Sequence, residues 1–136
     1  MAALAQYPDQ LVSTVIIADR TKVPANYLAK VLQQLASASL VSGRRGVGGG
    51  YRLARSLDEI SLIDVVRAVD TVERIQRCPL AENGQAAELC ALHKALDIAA
   101  AKVIDTLNGV TLRDLLEDPT SKTRPLCGNG SYDNEE

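Results

Sequence analysis

Phenylalanine and tryptophan are absent, and the only aromatic residues are four tyrosines. Leu, Val, Ile and Ala must therefore fill any core. Histidine occurs once, at position 93. With one imidazole, no Ser-His-Asp pattern and no paired carboxylates in a glycine-framed site, the groups for acid–base or nucleophilic catalysis are missing, and an enzyme is not expected. The three cysteines, Cys78, Cys90 and Cys127, are odd in number and do not suggest a disulfide framework. No apolar run reaches the roughly 18 residues of a membrane span. The start lacks the basic, apolar and small-residue regions of a secretory signal. These absences lead to the expectation of a cytoplasmic protein with no membrane partner. What remains is 136 residues, 46% hydrophobic and 24% charged. That is one domain, or one domain plus an appendage, able to bury a modest core without disulfides or a structural metal.

Charge is scarce in one sign over one stretch. Residues 1–19 carry Asp9 and Asp19 and nothing basic. Residues 20–55 carry Arg20, Lys22, Lys30, Arg44, Arg45, Arg52 and Arg55, with no acidic residue among them. Residues 56–136 hold eight basic and fifteen acidic residues, so the formal net charge of −2 hides the asymmetry. A basic block inside an acidic chain calls for an anionic partner, the plain alternative being a solvated basic face.

Hydrophobic periodicity predicts a mainly α-helical chain. Ala2 to Tyr7 reads as a short helix stopped by Pro8-Asp9. Ser13 is an N-cap for a helix through about Arg20, which Thr21-Lys22-Val23-Pro24 breaks. A second helix is predicted over Ala25–Ala38. Its Leu28, Val31, Leu32 and Leu35 fall at i, i+3, i+4 and i+7, and Asn26, Lys30, Gln33 and Ser37 face the other way. Two helices across a short turn outline a helix-turn-helix. Leu40-Val41-Ser42 and Tyr51-Arg52-Leu53-Ala54 then read as strands around the tip Gly43–Gly50, a small β-hairpin flanked by Arg44, Arg45 and Arg52. Ser61 caps a helix over Leu62–Val69, with Asp64 at the capping-box position. A connector follows, ending at the turn signal Asn83-Gly84. A long helix is predicted from about Ala87 to Leu107, striped with Leu89, Leu92, Leu96, Ala99, Ala100, Val103 and Leu107. Thr111 caps a last helix, and from Pro119 the polar composition predicts disorder.

Helix, turn, amphipathic helix and Arg-flanked hairpin is the order of a winged helix-turn-helix. A helix of this size enters the major groove, and a thin basic hairpin reaches the backbone or the minor groove. The basic block coincides with the two elements that would touch DNA. The candidate DNA-binding residues are Asn26, Tyr27, Lys30, Gln33, Arg44, Arg45, Gly48, Gly49 and Arg52. Asn26 and Gln33 are the candidate base readers; Lys30 and the arginines suit phosphates, which position without specifying. A phosphate loop fits the glycine run less well, because no helix opens after it and no Gly-Lys-Ser/Thr follows. A protein-interaction module that has lost DNA binding, and a metal or redox protein with an incidental basic block, are the other readings.

These segments carry a resemblance. Pro24-Ala25-Asn26-Tyr27-Leu28, Val31-Leu32-Gln33-Gln34-Leu35, Leu40-Val41, and Arg45-Gly46-Val47-Gly48-Gly49-Gly50-Tyr51-Arg52-Leu53-Ala54 resemble the Rrf-two family of bacterial winged-helix transcription regulators. Ile60–Val66 and the later Cys and His match as well, and the resemblance covers residues 10–117. It implies a homodimer in which the long C-terminal helix crosses its partner and two recognition helices read a palindromic operator in double-stranded DNA. The apolar stripe is an independent reason to expect a dimer, since a small winged domain has too little surface to cover it. The family pattern also has more of its first helix before Ala2. The resemblance then implies either a misassigned start codon or weaker DNA binding. The expected division is a winged helix-turn-helix over 1–70, a connector or sensor loop over 71–85, dimerisation helices over 86–118 and a disordered tail over 119–136.

Cys90 and His93, at i and i+3 on the predicted long helix, project from one face and can share a ligand. In the cluster-binding members of the Rrf-two family, three connector cysteines bind an iron–sulfur cluster, often with a following histidine. Cys78 and Cys90 match the outer two; the middle one is absent, its place falling near Gly84. An iron–sulfur cluster on Cys78, Cys90 and His93 would need a fourth ligand, from Cys127, Glu82, Glu88 or a partner subunit. Zinc on two Cys and one His is chemically open too, although the spacing is not that of a zinc finger. The alternative is no cofactor: two reduced thiols and a surface histidine, with oxidation to a disulfide as a sensing reaction.

Overall fold

The computed structural model describes residues 1–79 and 88–123. The chain runs α1 (Ala2–Ala5), α2 (Thr14–Thr21), α3 (Ala25–Ser37), β1 (Val41–Arg44), β2 (Gly50–Leu53), a 3-10 turn (Leu57–Glu59), α4 (Leu62–Val69), α5 (Ala91–Asn108), α6 (Leu112–Glu117) and α7 (Pro119–Thr123). It is a mainly helical winged-helix fold with one two-stranded antiparallel hairpin.

Short polar residues set the helix starts. The Ser13 Oγ accepts from the Ile16 N–H, and Ser61–Asp64 and Thr111–Asp114 form reciprocal capping boxes. Lys22, at φ 54°, ends α2 in the left-handed region, and Val23-Pro24 lead into α3. Ser39, at φ 56°, closes α3, where the Leu40 N–H reaches back to the Leu35 carbonyl and supplies an end carbonyl with a partner.

Leu28, Leu32 and Leu35 of α3 are buried with Leu4, Ile17, Leu40, Val41, Leu53 and Ile60. Each such side chain contributes about 1.5–3 kcal/mol by leaving water. Leu112 of α6 belongs to the same core, 2% exposed. Its N–H bonds the Ile60 carbonyl, the Leu62 N–H bonds the Val110 carbonyl, and Arg113 pairs with Asp58 and Glu117. The C-terminal helices are therefore stitched into the winged core at α6, where the sequence pattern sets 86–118 apart.

The hairpin pairs Val41 with Leu53 through to Arg44 with Gly50. Val12 adds a one-residue third strand, exchanging both backbone hydrogen bonds with Tyr51 at 2.9 Å. A Cβ on Gly50 would lie 2.4 Å from the Val12 carbonyl oxygen. This glycine is small because the chain's own backbone approaches it, not a ligand.

Two boundaries differ from the sequence reading. The long helix begins at Ala91 rather than Ala87: Glu88 and Leu89 are outside it and Cys90 is its N-cap. Pro119–Thr123, where disorder is expected, is helical; the Asp118 carboxylate accepts from the Thr120 N–H and starts the turn. The predicted Asn83-Gly84 turn and the tail beyond Thr123 lie outside the described residues.

Gly50→Ala is expected to cost about 1–3 kcal/mol, because two backbones must separate. A urea-unfolding midpoint equal to that of the parent chain would show that the Val12 bridge does not hold the wing.

Candidate nucleic-acid interface and sensor site

The outer face of α3 is set by its inner one. Because Leu28, Leu32 and Leu35 are buried, Asn26, Lys30, Gln33 and Ser37 are turned outward and exposed. Tyr27 is exposed too, but its ring borders an apolar cleft with Met1, Leu4, Val23 and Val31 rather than lying among the polar side chains.

The wing carries its cations in different ways. The Arg44 guanidinium donates to the Gly48 carbonyl at 3.0 Å and spans the tip, which Gly46 and Gly48 turn with positive φ. Arg45 is exposed at the tip, and the Arg52 Nε lies 3.4 Å from the Ser42 hydroxyl. The Gly49 backbone is packed within the turn, where an added Cβ would meet the Arg44 carbonyl at 2.3 Å. Arg20 points inward instead, stacked over the Tyr7 ring and donating to the Gln6 amide and the Tyr7 hydroxyl. Lys22 pairs with Asp19. Among the described residues Lys30, Arg44, Arg45 and Arg52 have no ion-pair partner, whereas the charge of Arg55 acts on the Glu59 carboxylate. Thr14 and Val15, at the start of α2, line a concavity with Arg44, Arg45 and Tyr51. The sequence marks Ser13 as a helix start; only the folded chain brings that start beside Arg44 and Arg45.

A second group of residues gathers where the connector meets α5. The Cys78 and Cys90 sulfurs lie 3.4 and 3.2 Å from the same nitrogen, His93 Nδ1. Cys90 is exposed and Cys78 half-buried, whereas His93 is 9% exposed and is not a surface histidine. Cys90 reaches His93 from the N-cap of α5, not from its first turns. The connector is strapped in place one turn further on. Asp97 accepts from Arg74 Nε and Nη2 at 2.6 and 2.5 Å and from the Ile75 N–H at 2.9 Å. The Arg74 hydrogen bonds hold the Asp97 carboxyl below the usual carboxylate range, against the weaker opposing effect of burial. This strap was missed because a connector arginine and a helix aspartate 23 residues apart show no spacing pattern.

A profile of the Rrf2 family, described as an iron-dependent transcriptional regulator, matches residues 1–118. The chain belongs to the Rrf2 family. BadM of Rhodopseudomonas palustris, an HTH-type transcriptional regulator by name, is 37% identical over 115 residues, covering 84% of this chain and 72% of BadM. The HTH-type transcriptional regulator IscR of Pectobacterium carotovorum is 32% identical over 102 residues, covering 75% of this chain and 62% of IscR. Among solved structures, T. potens IscR matches with a TM-score of 0.71 at 25% identity, over 95% of this chain and 84% of that one. CymR, the global cysteine regulator of B. subtilis, matches with a TM-score of 0.68 at 26% identity, over 84% of each chain. This Rrf2 chain thus spans less than two thirds of the IscR sequences it matches. It is a winged-helix transcription regulator by family, and its relatives are regulators rather than enzymes.

One face of α5 in this Rrf2 chain has no partner among the described residues. Leu92, Leu96 and Val103 are 60%, 48% and 50% exposed, with Ala99 beside them. His93, Asp97, Ala100, Ile104 and Leu107 make up the opposite, more buried face. No helix among the described residues is long and apolar enough to cross a membrane.

Asp97→Ala is expected to free the connector and raise the alkylation rate of Cys78 several-fold, read by site-resolved mass spectrometry; an unchanged rate would mean that the strap does not hold the thiol. Because the Asp97 carboxyl is held below its unfolded-state value, its contribution to stability is complete at neutral pH. It is lost only as acid protonates the carboxylate. Thermal-unfolding midpoints should therefore fall on the acid side, and Asp97→Asn should flatten that fall.

Proposed function

We propose that the protein is a homodimeric transcription regulator that binds a palindromic operator in double-stranded DNA, with Cys78, Cys90 and His93 as its sensing groups. The observation that carries this reading is the charge on one surface. Lys30 stands on the polar face of α3, Arg44, Arg45 and Arg52 stand on the wing that follows it, and none of the four has an ion-pair partner among the described residues. In this reading α3 enters the major groove, and Asn26 and Gln33 reach base edges as bidentate amides. Lys30, Arg45 and Arg52 neutralise phosphates, and the start of α2 at Thr14 and Val15 offers its N–H groups to the backbone beside the wing. Tyr27 contacts the sugar–phosphate edge, and the packed turn at Gly48 and Gly49 keeps the wing thin enough to follow the backbone. Arg44 acts through the shape of the tip as well as through its charge.

The exposed Leu92, Leu96, Ala99 and Val103 face of α5 supports dimerisation, since pairing it about a twofold axis removes an apolar stripe from water on both copies. A symmetric pair of α3 helices then fits a palindrome with half-sites about 34 Å apart. The signal route is short: Cys78 lies on the connector that leaves α4, and α4 packs on α3. A change of state at the trio pulls on the connector and biases the recognition helix. The DNA reading places the protein with the chromosome, in the cytoplasm.

Operator binding selected from a random-sequence pool should weaken steeply with salt. Arg45→Ala should weaken all sequences alike and lower the salt slope by about one unit, whereas Gln33→Ala should cost about 1–3 kcal/mol at one base pair and relax the preference there. Leu96→Glu should give a monomer in sedimentation and loss of palindrome binding. A Gln33→Ala loss that is uniform across sequences would remove it from the base readers. Salt-insensitive or absent DNA binding would leave a protein-interaction module.

A further inference from the structure

The family resemblance suggests an iron–sulfur cluster at Cys78, Cys90 and His93, and the geometry tests it. A two-iron cluster takes four protein ligands, mostly thiolates, whereas two thiols and one imidazole meet here. Here the three donor atoms all lie within 4.8 Å of one another. Both sulfurs sit 3.2–3.4 Å from a single imidazole nitrogen. One tetrahedral ion, with metal–sulfur bonds of about 2.3 Å and metal–nitrogen bonds of about 2.0 Å, sets its ligand atoms roughly 3.5–3.8 Å apart. The two sulfur–nitrogen separations are close to an edge of such a tetrahedron, so the trio can close around one ion. The sequence agrees, because the middle cysteine of the cluster-binding pattern is missing.

We propose that Cys78, Cys90 and His93 bind one thiophilic divalent cation of the zinc class through two thiolates and the His93 Nδ1. On binding, the two thiols release their protons to solvent and the imidazole stays neutral, its other nitrogen carrying the proton. Cys90 is exposed, so the fourth coordination position opens on its side, where water or a further donor completes it. Asp97 is a positioning residue: it holds Arg74 and Ile75, and so delivers Cys78 to an ion already held at the start of α5. Metal occupancy then ties the connector to α5, and loss of the ion or oxidation of the thiols releases it. The proposal rests on reading this trio as the sensing site, and it does not depend on DNA binding.

The test is an anaerobic titration of the reduced, chelator-treated full chain with Co²⁺. The expected result is saturation at one ion per chain, with the strong visible bands of a tetrahedral site, near-ultraviolet thiolate charge-transfer bands, and displacement by Zn²⁺. Cys90→Ser alters an exposed side chain and should lower the affinity at least about tenfold with unchanged circular dichroism; His93→Gln should do the same. A spectrum without thiolate bands, no saturable binding, or reconstitution with iron and sulfide to more than one iron per chain would overturn the proposal. A parallel salt titration of DNA binding by the metal-free chain separates the two claims. DNA binding without Co²⁺ uptake overturns the metal site alone, whereas Co²⁺ uptake without DNA binding supports the site and overturns the regulator reading.

Discussion

Two backbone hydrogen bonds, from the Leu112 N–H to the Ile60 carbonyl and from the Leu62 N–H to the Val110 carbonyl, close the C-terminal helices onto the winged core. Leu112 is buried at that junction, and Arg113 ties it to Asp58. This closure adds to the packing of α5 on α4 and to the Asp97 strap a third tie, at the far end of α5. With it, one end of α5 is fixed to the domain that carries α3, and its outer apolar face is presented in a set direction. The sensing residues lie at its other end, so any movement there is felt against a fixed point.

The basic surface depends on the same economy of contacts. Acidic residues are absent from residues 20–55, so most cations of that stretch have nothing in their own neighbourhood to neutralise them. The exceptions are informative. Arg20 is consumed by Tyr7 and Gln6 in holding α1 to α2, and Lys22 is held by Asp19. Arg44 serves the wing tip through Gly48. A count of positive charges overstates the interface; the free ones are those whose side chains the fold does not use.

The trio at the start of α5 shows how one position can be read from the sequence and still be misplaced. Cys90 and His93 stand together as their spacing predicts, yet Cys90 achieves it as an N-cap outside the helix. Cys78 joins them only because Asp97 captures the connector at Arg74 and Ile75. The burial of His93 follows from its place on the inner face of α5 with Asp97, Ile104 and Leu107.

The sequence by itself determined the local elements of this protein. Ser13, Ser61 and Thr111 cap their helices through groups three residues away. The i, i+3, i+4, i+7 leucines of α3 dictate which side chains face out, and the charge segregation is a property of order along the chain. These signals are short-range, so periodicity and capping chemistry expose them. Tertiary structure alone decided what joins what: Val12 as a third strand beside Gly50, Leu112 in the winged core, Asp97 as the anchor of the connector, and the inward turn of Arg20. Each of these joins residues distant in sequence, by backbone approach, apolar burial, an ion pair or a cation–π contact. Such contacts leave no periodic mark, because many partners of equal chemistry are present and only packing of the whole chain selects one.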